Sequence, residues 1–158
     1  MSHIRLALAS ALVSIVSMAH AQGLINQKAL SLDAAQAIAQ GALESCRAAG
    51  YHVSVSIVDG NGMLKAFVRD DGTGPHTVDL SRRKSYTALT FKRTTAETGK
   101  AWAAQTPPPN IEGTVGLGGG VPIRTGNEVI GAIGVSGAPG GDKMKRARTP
   151  GSRRSPTS

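Results

Sequence analysis

Aromatic side chains are scarce in this chain: two Tyr, two Phe and one Trp make up 3% of 158 residues. Base stacking as a main activity is thereby excluded, because surfaces that grip single strands are built from several aromatic rings. The core must instead be made of Ala, Val, Ile and Leu, which pack closely but bury little area apiece. Cysteine is limited to Cys46. An intrachain disulfide is impossible in any redox compartment, and a thiolate metal cluster lacks its partners. The place of Cys46 in a helical apolar pattern predicts a buried thiol. Beyond the first 21 residues, no apolar run is long enough to cross a bilayer. Acidic residues are the minority, 10 against 18 basic, for a formal charge of +8.

That excess is unevenly placed. Lys143, Lys145, Arg146, Arg148, Arg153 and Arg154 lie beyond Asp142, and Arg5 lies at the start. Setting these seven aside leaves 11 basic against 10 acidic residues. A nearly neutral body is a poor nucleic-acid partner. The start reads as an export signal, with His3 and Arg5, an apolar run from Leu6 to about Met18, and Ala19-His20-Ala21 as the cleavage pattern. Residues 1–21 are expected to be removed, so that the mature chain begins at Gln22 and resides in the periplasm or outside the cell. One domain over residues 22–142 and a basic, disordered tail over 143–158 complete the expected organisation.

Within the domain, a first helix is bounded by Ser31 as N-cap and Gly50 as stop, with Asp33 in its positive first turn. Leu30, Ala34, Ile38, Ala42 and Cys46 recur at helical spacing, and Ala35 and Leu43 widen the stripe. Gly41 lowers helix stability unless another element packs closely there. Val53 to Val58 alternates as a strand. Asp59-Gly60-Asn61-Gly62 is a hairpin turn, and Leu64, Ala66 and Val68 carry the pattern back. A second helix is expected to start between Thr77 and Ser81, with Asp79 as cap, and to run to about Arg93. Thr94 and Glu97 have the spacing of a capping box for a third helix, which Pro107-Pro108-Pro109 ends. A second hairpin follows, Val121 to Arg124 and Val129 to Ser136, about a turn at Thr125-Gly126-Asn127. The order α-β-β-α-α-β-β with hairpin connections predicts an α+β fold, an antiparallel sheet covered by helices.

On the last strand Ile133 and Val135 share one face, while Ala132, Gly134 and Ser136 form a strip almost without bulk on the other. Such a strip accommodates something that approaches the backbone closely: a helix first of all, otherwise a symmetry-related subunit or a flat ligand. GGGVPIRTGNEVIGAIGVSGAPGGD, together with VSIVDGNGMLKAFVRDDG and SRRKSYTALTF, resembles the GlcG/HbpS family of small haem-binding proteins over roughly Leu30 to Asp142. The resemblance implies a haem cofactor, a tendency to homo-oligomers, and a final helix after the second hairpin. The family also occurs among glycolate-utilisation genes, which implies an alternative role as an accessory or sensor protein for a small organic acid.

Haem requires an apolar face, an axial ligand and cations for its propionates. The stretch GTGPHTVDLSRRKSY offers His76 as ligand, in a loop shaped by glycine and proline, with Arg82 or Lys84 as propionate partners. His52 is the second candidate ligand, and Tyr86 either ligates iron or packs half-buried. Lys84 has a second reading, in which its stem packs and its ammonium pairs with an acid such as Asp79. For an organic acid, Arg82 and Lys84 together would hold the carboxylate. On this reading His76→Ala weakens haemin binding more than His52→Ala.

No nucleophile–base pair or metal set is assembled, so a non-enzymatic protein is expected. Ser136 lacks the full spacing and the strand-to-helix turn of a nucleophile elbow. Gly116 to Gly120 lacks dinucleotide-loop spacing, and a strand rather than a helix follows it.

The tail departs from the family pattern. Where Asp-Glu-x-x-Ala-x-Ala-Gly is expected after Asp142, the chain has Lys143-Met144-Lys145-Arg146-Ala147-Arg148-Thr149-Pro150. Met followed by Lys must be encoded ATG-AAR, and a frame displaced by one base reads GAA, glutamate. The same displacement allows Asp-Glu-Ala-x-Ala-x-Ala-Gly-Ile. A slip of the reading frame near Lys143 is therefore expected.

Overall fold

The computed structural model describes residues 25–139; the expected signal (1–21) and the tail (143–158) lie outside the described residues. Three helices, α1 (Leu32–Ala48), α2 (His76–Phe91) and α3 (Thr95–Ala103), accompany four strands. These are β1 (Ser54–Asp59), β2 (Leu64–Arg69), β3 (Gly120–Thr125) and β4 (Glu128–Ser136). All pairings are antiparallel, in the order β2-β1-β4-β3. The fold is α+β with the expected element order.

The two sheet faces differ in chemistry. Toward α1, Val53, Val55, Ile57, Ile123 and Val135 pack with Leu30, Ala35, Ala39, Ala42, Leu43 and Cys46 as the main hydrophobic core. The α1 stripe is centred on Ala35, Ala39 and Ala42, and Ala34 and Ile38 are only half-buried. Burial pushes the Cys46 thiol pKa up, as suits an inert core thiol. Toward α2 the contact is made largely by hydroxyls. Ser54 Oγ lies 2.8 Å from Thr77 Oγ1 and Ser56 Oγ 2.8 Å from Ser81 Oγ, and among the described residues a small apolar cluster there joins Val58, Ala88 and Ala132, with half-buried Leu89 against it. The bare strip of β4 receives a helix: a Cβ on Gly134 would run into the backbone of α2 at Ser81 and Ser85.

Caps follow the local chemistry. Ser31 Oγ accepts from Ala34 N at 3.2 Å, and Thr94 and Glu97 form a complete capping box. Asp59 Oδ1 accepts from Asn61 N and Met63 N to close the first hairpin. Four details differ from expectation. Helix α2 begins at His76 with Pro75 as its cap residue, so Asp79 sits in the first turn and caps nothing; proline at a helix start needs no donor and has a suitable φ. The same helix stops at Phe91 because Lys92 turns left-handed, φ 52°. A bulge between Ile57 and Val58 breaks the β1–β2 register, so Ala66 and Val68 join the α1 core while Leu64 is exposed. Among the described residues nothing packs against Gly41.

Candidate functional site

Helix α2 carries its basic residues on different faces. Lys84 is 7% exposed, its Nζ donating to Val135 O at 3.1 Å, and burial lowers its pKa. The stem packs as expected, but the ammonium meets a carbonyl rather than an acid. Asp79 pairs instead with Arg82 (3.1 Å) and lies 4.0 Å from Arg83, because α2 turns these three outward and Lys84 inward. Arg82 and Lys84 are therefore not brought together on one ligand group. The ring of Tyr86 lies between Gly62 of the first hairpin turn and Gly113, both at positive φ. A cleft of about 480 Å³ opens beside it, lined by Asp79, Arg82, Arg83 and the loop from Asn110 to Gly113. With Ile111 its one aliphatic side chain, this cleft suits a small polar guest better than a porphyrin face.

The second region is the end of the sheet where β1 starts. The Ser54–Thr77 hydrogen bond ties the start of β1 to the start of α2. His52, two residues before Ser54, and His76, one before Thr77, are thereby brought to the same end of the fold. The ring of His76 is exposed and has no hydrogen-bond partner among the described residues. His52 is different: its Nδ1 lies 3.2 Å from Asp70 Oδ2, with the histidine side chain 65% and the aspartate side chain 3% exposed. Arg47, from the last turn of α1, grips the same carboxylate with Nε at 3.1 Å and Nη2 at 2.6 Å. The Arg47 guanidinium, aided by Asp71 N–H and by His52, holds the Asp70 pKa down to about 2 against the opposing effect of burial. Asp70 is ionised in any ordinary buffer.

The other face of the sheet, toward α2, carries a cation and apolar surface. Arg69, in register with Ser54, donates to Thr73 O at 2.7 Å. Phe67, in register with Ser56, and Val78, one turn before Ser81, flank the Ser56–Ser81 contact and are 37% and 39% exposed. They stay open because α2 packs over β4, β1 and β3, leaving edge strand β2 uncovered on that face. Asp70, Arg47, Phe67 and Val78 were not singled out by sequence. Asp70 stands in a loop-forming run and Arg47 at a helix end, and only the strand register joins them.

No curated protein matches the chain. The solved structures include clear matches. To a double mutant of HbpS from Streptomyces reticuli the chain is 36% identical, with a TM-score of 0.74, covering 80% of this chain and 86% of that one. To Klebsiella pneumoniae protein ORFY it is 29% identical, with a TM-score of 0.66 and coverage of 74% and 87%. To PduOC, solved as a complex with heme, it is 26% identical, with a TM-score of 0.67 and coverage of 77% and 92%. Residues 30–149 match a family described as "Haem degrading protein HbpS-like", a span that runs past Asp142 into the basic tail. The chain belongs to the HbpS-like family.

Proposed function

We propose that this protein binds haem after export, as a binding, sensing or storage module. Membership of the HbpS-like family and the heme complex of a 26%-identical relative support the reading. The observation that carries it is that the Ser54–Thr77 bond ties the chain just after His52 to the helix that starts at His76, with Arg69 and the half-open Phe67 and Val78 on the α2 side of the sheet. These residues include the kinds of group haem needs: an imidazole for the iron, a guanidinium for a propionate and apolar side chains for the ring. Haem would supply a ligand-binding and redox-active iron; the chain supplies the donor, the counter-charge and the surface.

Titration of purified protein with haemin tests this. A sharp, saturable Soret band is expected, whereas broad unspecific absorbance would overturn the reading. The family description favours a second reading, degradation. Ascorbate added in air separates the two: a persistent Soret band supports binding alone, and its conversion to linear-tetrapyrrole absorbance supports turnover. An organic-acid role would fall to the cleft at Arg82 and Arg83, where Arg82 already pairs with Asp79 and Arg83 donates to Thr114 O, and glycolate titration by calorimetry checks it. Export is part of the proposal, and an intact mass beginning at Gln22 in the exported fraction is the expected result. Homo-oligomers are also proposed, to be read from sedimentation.

A further inference from the structure

Two histidines reach the same end of the sheet, and only one has a ring fixed from behind. Asp70 is nearly buried, and its carboxylate can only accept hydrogen bonds. The His52 nitrogen 3.2 Å from it must therefore be the donor. In the neutral ring that places the hydrogen on Nδ1 and leaves the lone pair on Nε2, on a side chain 65% exposed. Arg47 holds the carboxylate through two nitrogens from α1, so the acceptor is itself fixed. A carboxylate behind one imidazole nitrogen is the arrangement that fixes the tautomer and orientation of metal-ligating histidines. His76 has no such hydrogen-bonded support: its exposed ring lies against Gly74 with no hydrogen-bond partner among the described residues.

We infer that His52 Nε2 is the protein's nitrogen ligand for haem iron, with Asp70 as positioning residue and Arg47 as the clamp that sets Asp70. This inference rests on the haem reading above and reverses the order of the two histidines expected from sequence. It also explains why a loop aspartate is buried in a small fold. The buried carboxylate fixes the direction of an exposed ligand.

Two measurements test it. In the protein without haem, long-range ¹⁵N–¹H correlation spectra of His52 in mildly alkaline buffer should show the Nδ1–H tautomer; the Nε2–H tautomer would overturn the inference without recourse to any variant. The second is haemin titration of wild type, His52→Ala, His76→Ala, Asp70→Asn and Arg47→Gln, with circular dichroism confirming that each is folded. His52→Ala is expected to weaken binding at least tenfold, to shift the Soret band, and to regain the wild-type spectrum on addition of imidazole. Asp70→Asn should weaken binding by roughly ten- to a hundredfold. It should also lower the iron–histidine stretching frequency of the ferrous complex, which a merely structural loss would leave in place. Arg47→Gln is expected to give a smaller change of the same sign. Wild-type affinity and spectrum in His52→Ala would defeat the inference while leaving the haem reading intact, and so would a larger loss in His76→Ala. If wild type itself gives no Soret band, the haem reading fails and the assignment of His52 falls with it, an outcome distinct from the one in which wild type binds haem and His52→Ala binds it equally well.

Discussion

Lys84 is the residue whose setting departs furthest from ordinary lysine chemistry. An ammonium has three donors, and the described contact for this one is Val135 O alone. A Cβ on Gly119 would lie 3.1 Å from its Nζ, so the glycine-rich approach to β3 leaves the head just enough room. Burial lowers the pKa from 10.5. Between the folded value and 10.5 the unfolded chain binds more protons, so stability should rise with pH across that window. Lys84→Met keeps the stem and removes the charge. It should be neutral or about 1 kcal/mol more stable at neutral pH, and should lose the alkaline rise. Urea denaturation near neutrality and at about pH 10 checks both effects. A loss above about 2 kcal/mol would mean that the bond to Val135 outweighs the desolvation of the charge.

At the scale of elements, two glycines that look alike in sequence behave oppositely. Gly134 lies where α2 crosses β4, and a methyl there would enter the helix backbone at Ser81 and Ser85. Gly134→Ala is expected to destabilise by about 3 kcal/mol or more through overpacking. Gly41 faces open space in the exposed part of α1, and Gly41→Ala should stabilise by about 0.5–1 kcal/mol. Thermal melts of the two variants should move in opposite directions, and a stabilised Gly134→Ala would contradict the packing described. The bare strip of β4, the Ser31 cap and the Thr94–Glu97 box were legible because each is set by residues a few positions apart. The bulge at Ile57–Val58 was not, since it depends on how β2 is paired, and it misplaced Leu64. Nor was the Arg47–Asp70–His52 cluster, whose members meet only once α1 is laid on the sheet. The candidate site was therefore half visible: both histidines could be named, but not the group that distinguishes them.

For the molecule as a whole, α1 packs on β1 and β2. On that same face Val121 and Ile133, in register on β3 and β4, keep 37% exposure and partial exposure respectively. We also propose that the coding sequence slips by one base near Lys143. A restored Asp-Glu-Ala-x-Ala-x-Ala-Gly-Ile helix would have this half-face to cover. Reading the nucleotides decides it: the displaced frame should continue as an amphipathic helix, and a stop codon before one is complete would refute the slip. The hydroxyl-lined contact between α2 and the sheet has a consequence for thermodynamics. Ser54, Ser56, Thr77, Ser81, Ser85 and Thr87 are all essentially buried, so unfolding hydrates many polar groups along with aliphatic ones. Polar exposure lowers the heat capacity of unfolding while apolar exposure raises it. The free energy of this fold should therefore vary unusually gently with temperature, a broad dome that protects against cold as well as heat.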